Sequence, residues 1–227
     1  MGRTSKAAAA PDKGKPPTHA AVTIPPPNMQ VASFRIRGTT RYVQNKFSEE
    51  ARQQIEDKQK AGETAKKGVK RKPKDFARCY EQSMYRMKDG SRGIPASCFR
   101  NAMISACRIV GFTMTRAKLA LTILPDGYDQ EEGVPLVSFT KGDPVMTVDP
   151  VQNATGVCDL RVRGKWEPGW EAVVRIRYDA DMFALADIAN LLHRAGLQVG
   201  VGAGRNDSKN SNGQGWGEFE LVEEEAE

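Results

Sequence analysis

Ile94-Pro95-Ala96-Ser97-Cys98-Phe99-Arg100-Asn101-Ala102-Met103-Ile104-Ser105-Ala106-Cys107-Arg108-Ile109-Val110-Gly111 carries the clearest periodic signal in the chain. Phe99, Met103, Ala106, Cys107 and Val110 fall at i, i+4, i+7, i+8 and i+11, which predicts a helix opened by Ser97 with one apolar stripe. Gly111 is a suitable stop, because glycine tolerates the left-handed turn that ends many helices. Cys98 and Cys107 then read as small helix residues and not as metal ligands.

Upstream, Gln30–Gly38 predicts the first strand: Phe34 and Ile36 alternate with Arg35 and Arg37. Ser48 suits the N-cap of a helix over Glu49–Lys60, whose only large aliphatic residue is Ile55, so that helix is expected to lie exposed. Downstream, Lys118–Leu124 reads as an apolar strand and Asp126–Gly133 as an acidic turn. Leu136–Phe139 and Val145–Val148 flank Lys141-Gly142-Asp143-Pro144 like the arms of a hairpin. Cys158–Arg163 and Ala172–Tyr178 are two more strands around a Pro168-Gly169 turn. Asp179 or Asp181 is expected to cap a last helix reaching Ala195, with Met182, Leu185, Ile188, Ala189, Leu192 and Ala195 as its buried stripe. Gly196 ends it, Leu197–Val201 follows as a short strand, and Glu218–Val222 closes the chain. Without insertions the order is βαββαβ, a mixed α/β (α+β) class with a ferredoxin-like or RRM-like sheet, two helices on one face and the other face open.

Composition limits the function. The apolar fraction is 39%, and no apolar run approaches the ~18 residues of a spanning helix. Met1–Lys6 and the four alanines after it lack the apolar centre of a secretory signal. Four cysteines (79, 98, 107 and 158) without a CxxC pair suit neither a disulfide framework nor a zinc site, so a reduced, cytoplasmic protein with no membrane association is expected. The net charge of +6 is unevenly spread: residues 1–78 hold 18 Lys/Arg against 7 Asp/Glu, and the remainder is net acidic. Such segregation points to a polyanion partner. Residues 1–28, with Pro16-Pro17 and Pro25-Pro26-Pro27, read as a disordered Pro-rich arm, and 223–227 as an acidic tail. Lys66, Lys67, Lys70, Arg71 and Lys72 belong to a basic insertion within 47–80, interrupted by Gly62, Gly68 and Pro73.

Arginines recur at i and i+2 in three of the expected strands: Arg35/Arg37, Arg161/Arg163 and Arg175/Arg177. Period 2 puts each pair on one face. In a single sheet they would line its open side, where planar guanidiniums suit phosphate. Asp159, Glu171 and Asp179 are available to pair with some of them. Gly200-Val201-Gly202-Ala203-Gly204-Arg205 is not a dinucleotide fingerprint, because no helix follows it. It is a loop whose backbone approaches something closely, either a phosphate chain or neighbouring strands. Trp166, Trp170 and Trp216 suit core packing and base stacking equally. His19 and His193 are too isolated for a metal or a catalytic triad, so no cofactor is expected; His193 suits the last turn of its helix.

Two stretches resemble the RAMP superfamily, the Cas7-like subunits of CRISPR effector complexes. Ile94-Pro95-Ala96-Ser97-Cys98-Phe99-Arg100-Asn101-Ala102-Met103 is similar to the family's I-P-x-S-S motif at the start of the first helix. Cys98 stands for the second serine and Arg100 for the lysine. Gly202-Ala203-Gly204-Arg205 and Gly213-Gln214-Gly215-Trp216-Gly217 resemble its glycine-rich loop, with Asn206–Asn212 inserted. The resemblance implies a modified RRM-like palm spanning 29–222 that binds the backbone of guide RNA, as a homo-oligomer or within a larger ribonucleoprotein. The family's thumb and finger insertions fall at 47–80 and 125–156. It implies phosphate contacts at Ser97, Arg100, Gly202, Gly204 and Arg205. In some members an Asp about a dozen residues before the I-P motif cleaves target RNA; the nearest acid is Glu81, 13 positions before Ile94. A single-stranded RNA or DNA binder is therefore the leading expectation. A metal-dependent nuclease using Glu81 or Asp89, and a protein that docks on a protein complex, are the rivals.

Overall fold

Ile36 and Gly38 turn inward while Arg35 and Arg37 stay exposed, so the first strand has one dry and one wet face, as alternation dictates. The computed structural model describes residues 24–62, 73–152, 158–207 and 213–222. In chain order these form β1 (Met29–Gly38), β2 (Tyr42–Val43), α1 (Glu49–Ala61), α2 (Phe76–Gln82), β3 (Gly93–Pro95), α3 (Ala96–Ala106), α4 (Met114–Ala120) and β4 (Leu121–Leu124). There follow β5 (Gly127–Tyr128), β6 (Pro135–Lys141), β7 (Val145–Gln152), β8 (Cys158–Trp166), β9 (Glu171–Asp179), α5 (Leu185–Arg194), a π-helical turn Ala195–Val199, and β10 (Phe219–Leu221).

The architecture is mixed α+β with antiparallel sheets. A seven-stranded sheet runs β10-β1-β9-β6-β3, with β4 also paired to β9 and β5 to β6; a three-stranded sheet runs β2-β8-β7. The helices α3 and α5 cover one face of the larger sheet. Phe99 and Met103 of α3 and Ile188 and Leu192 of α5 are buried with Ile36, Leu121, Val174, Ile176 and Phe219. Because Ala172, Val174, Ile176 and Tyr178 of β9 are buried at every second position, a one-residue slip would put them in water, and the register is fixed accordingly. Where the two sheets meet, Phe139 stacks on Trp166 at 4.5 Å and Tyr42 lies 5.8 Å from Trp170. Trp166, Trp170 and Trp216 are all buried, so each packs within the protein.

Several local expectations are corrected. The helix α3 ends at Ala106; Arg108 and Ile109 donate to carbonyls three residues back, Gly111 has φ +69°, and Val110 is left exposed. Lys118–Ala120 is helical and only Leu121–Leu124 is strand, because Ala117 and Ala120 bury one side of α4 while Leu119 faces out. Leu136–Phe139 and Val145–Val148 form no hairpin: β6 serves the large sheet, and β7 pairs along its whole length with β8. The helix α5 starts at Leu185, its capping carboxylate being Asp187, which accepts from Ala184 N–H at 3.0 Å; Asp179 instead holds a turn, and Leu185 is exposed. Leu197–Val201 is not a strand. The helix continues as a π turn through Gly196, where a Cβ would meet Phe219 O at 2.1 Å. The arm to residue 23, the lysine-rich 63–72 segment and the tail 223–227 lie outside the described residues.

Candidate nucleic-acid interface

The face of the seven-stranded sheet away from α3 and α5 gathers the arginines of β1 and β9. In the β1–β9 register Arg177 stands opposite Val31, Arg175 opposite Ser33, Val173 opposite Arg35, and Glu171 opposite Arg37. Directly opposed residues share a face, so Arg35, Arg37, Arg175 and Arg177 all rise from the open side. Glu171 is the hub. Only 2% of its side chain is exposed, and it accepts from Arg35 Nη2 at 2.8 Å and Nε at 3.1 Å, and from Arg37 Nε at 3.3 Å. Lys141 Nζ lies 3.6 Å from the same carboxylate. The hydrogen bond from Arg35 holds the Glu171 carboxyl below its ordinary range, against the opposing effect of burial and with help from Arg37 and Lys141. Three cations around one carboxylate leave a net positive patch, and Arg35 and Arg37 remain 56% and 46% exposed. Arg175 donates to Asp126 Oδ1 and to Pro125 O, each at 2.8 Å. Arg177 is exposed and has no ion pair among the described residues.

The third arginine pair does not join this face. Arg161 and Arg163 lie on β8, in the three-stranded sheet. Period 2 fixes which face a side chain takes but not the sheet to which its strand belongs. Arg163 is buried, donates to Asp149 Oδ2 at 2.7 Å and lies 5.8 Å from the Trp216 ring, which Arg41 also covers at 4.3 Å. Arg161 is exposed and stands opposite Asp149.

The glycine-rich loop packs against the first turn of α3. Burial pushes the Cys98 thiol up, while the nearby Arg205 charge and a hydrogen bond with the Gly202 backbone oppose it, and that hydrogen bond joins helix to loop. The loop is close-packed within the protein: a Cβ on Gly202 would meet Tyr42 at 2.5 Å, and one on Gly204 would meet Trp216 at 2.5 Å. Arg205 turns back on the loop, donating to Gly202 O at 3.0 Å and to Asp207 O at 3.2 Å. Arg100 donates to Leu121 O at 2.9 Å and also to Lys118 O, closing the end of α4. Of Ser97, Arg100, Gly202, Gly204 and Arg205, Ser97 alone is exposed, the others being half-buried.

Glu81 is held by Arg86 and by Arg92, the latter at 3.4 Å. Asp89 accepts from Ser91 N–H at 2.9 Å and Oγ–H at 2.6 Å, the first cause of its lowered carboxyl pKa. Among the described residues no three His, Cys, Asp or Glu side chains converge as a metal site requires, and no helix is long and apolar enough to cross a membrane. Lys66, Lys67, Lys70, Arg71 and Lys72 lie outside the described residues. Sequence reasoning missed the buried pair of Lys46 and Asp129, 3.0 Å apart, which ties the start of the 47–80 insertion to the acidic turn. The residues are 83 apart in sequence, and no local pattern links them.

The fold and this face define a mixed α+β protein that presents an organised cationic surface on an open antiparallel sheet. No family model matches the chain, and no curated protein does. Among solved structures, a chain from the cryo-EM structure of the Type III-B Cmr-beta bound to cognate target RNA is similar, with 13% identity and a TM-score of 0.48. The alignment covers 86% of this chain and 60% of that one, so this chain spans about three fifths of its length.

Proposed function

We propose that the chain binds the sugar-phosphate backbone of a single nucleic-acid strand on the open face of the seven-stranded sheet. The observation that carries this reading is the convergence of Arg35, Arg37 and Lys141 on Glu171, with Arg175 held by Asp126. Each carboxylate fixes its arginines in place without neutralising the group, so the cations face solvent already oriented for phosphate. The large sheet contains the run β10-β1-β9-β4, all antiparallel, with α3 and α5 behind it. That run supports reading residues 29–222 as one ferredoxin-like palm, with the β7–β8 sheet as an insertion. RNA is the expected strand because the Ile94–Met103 motif resembles RAMP proteins. In this reading the sheet face takes the phosphates ahead of Arg100, Gly202, Gly204 and Arg205, because Arg100 and Arg205 donate to backbone carbonyls and the two glycines pack against Tyr42 and Trp216. Binding side by side along a long strand would follow the same resemblance.

The test is fluorescence anisotropy with an oligouridylate of about twenty nucleotides across a salt series. Simple charge reversal at Arg35 and Arg37 would crowd carboxylates around the buried Glu171, so the informative variant is Arg35→Gln/Arg37→Gln/Glu171→Gln. It is expected to bind more than about tenfold more weakly near 0.1 M salt, with a salt slope shallower by about 1.4. Arg177→Glu, which disturbs no ion pair among the described residues, is expected to weaken binding comparably. Unchanged affinity in both variants, with the fold intact by circular dichroism, would overturn the assignment.

A further inference from the structure

We infer that the strand runs along the sheet, parallel to β1 and β9, and engages four consecutive phosphates through Arg177, Arg175, Arg35 and Arg37 in that order. This rests on the proposed backbone-binding role and adds its path, footprint and selectivity. The argument is the register. On the open face the levels of β1 marked by Val31, Ser33, Arg35 and Arg37 each carry one arginine of this group: the first two supplied by β9, the last two by β1 itself. Two residues of antiparallel strand advance about 6.8 Å, so the row makes three equal advances along the strand axis and spans about 20 Å in that direction. That step is comparable to the separation of neighbouring phosphates in an extended strand. The row shifts sideways only once, between Arg175 and Arg35, by one interstrand spacing of about 4.8 Å.

A path across the strands meets a different pattern. At the Val31 level it crosses Thr122, Arg177 and Val31; at the Ser33 level it crosses Leu124, Arg175 and Ser33. Each such line offers one cation. At the Arg37 level it crosses Lys141, Glu171, Arg37 and Glu220, with alternating signs that repel as much as attract a polyanion. Only the lengthwise direction presents four cations in succession. The four levels carry no aromatic side chain on the open face, the uncharged positions being Val31, Ser33, Thr122, Leu124 and Val173. Bases therefore find no stacking platform there, and recognition follows the phosphates with little preference for sequence.

Arg177→Ala and Arg37→Ala, at the two ends of the row, test the path. With an oligouridylate of about six nucleotides, each is expected to make the salt slope shallower by about 0.7, and the pair together by about 1.4. With a dinucleotide, whose single phosphate can occupy any step, each single change is expected to leave the slope unaltered. Arg161→Ala, in the other sheet, is the control and is expected to change neither slope. If the six-nucleotide strand binds the parent protein but only one of the two end variants alters its slope, the lengthwise path is overturned while the backbone-binding role stands. If the parent protein retains no single strand at low salt, the role itself falls, and the path with it.

Discussion

Asp129→Ala destabilises the protein by about 3–5 kcal/mol, as expected when one member of a buried ion pair is removed. Lys46 and Asp129 have side-chain exposures of 4% and 0%. Asp129 accepts from Lys46 Nζ at 3.0 and 3.2 Å and also from the backbone N–H of Arg86, Glu131 and Glu132. Truncation would leave the Lys46 ammonium with Glu131 at 2.6 Å and three peptide donors without their acceptor. Lys46→Met is expected to cost less, because those three donors still stabilise the carboxylate. Burial works to raise the Asp129 carboxyl, but hydrogen bonds from Glu132 and Arg86, reinforced by Lys46, outweigh it and hold the group below its ordinary range. Its folded pKa is therefore lower than its unfolded value of about 3.9. The stabilisation is present above that unfolded value and is lost as pH falls through the folded one. Urea unfolding at neutral pH measures the first effect. In an acid titration Asp129→Asn should begin less stable and lose less than the parent protein below about pH 4. A destabilisation under about 1 kcal/mol for Asp129→Ala would contradict this account.

Gly217→Ala is expected to cost about 3–4 kcal/mol, against about 1–2 kcal/mol for Gly133→Ala. Both glycines have positive φ, +73° and +66°, so a side chain at either pays the left-handed penalty. They differ in what surrounds them. A Cβ on Gly217 would lie 1.8 Å from Val201 O, whereas one on Gly133 meets nothing within 4 Å. The obstacle at Gly217 is backbone, which cannot swing aside as a flexible side chain would. Relieving it displaces two hydrogen bonds, Val201 N–H to Gly217 O at 2.9 Å and Gly217 N–H to Arg41 O at 2.8 Å. Paired urea denaturation curves decide the matter. Equal losses at the two positions would mean that conformation alone, and not close packing, explains the glycine at 217.

These two sites mark different degrees of legibility. The glycine loop was readable as a place of close backbone approach, because seven glycines between 196 and 217 have few other uses. What it approaches was not readable: Tyr42, Val201 and Trp216 reach it only through the folded chain. The start of α3 and the course of β1 and β9 follow from apolar spacing, since burial of one face imposes a period that the sequence must carry. Helix ends were less legible. The α5 start moved because Asp179 serves a turn and Asp187 serves the cap, and the two acids look alike in sequence. The lengths of β6 and β7 gave no sign that they would lie in different sheets, because strand pairing is settled by partners distant in the chain.

By itself the sequence determined a mixed α+β chain, the two covering helices, and the side of each strand on which its arginines stand. Alternation and helical spacing are local properties, and local geometry converts them directly into faces. Only the tertiary structure decided which arginines meet. Pairing of β1 with β9 set Arg35 and Arg37 in line with Arg175 and Arg177, while pairing of β8 with β7 took Arg161 and Arg163 elsewhere. It also placed Glu171 beneath three cations and brought Lys46 to Asp129. Charge attracts charge at any sequence separation, so such pairs are fixed by where the core puts the backbone and leave no periodic trace in the chain.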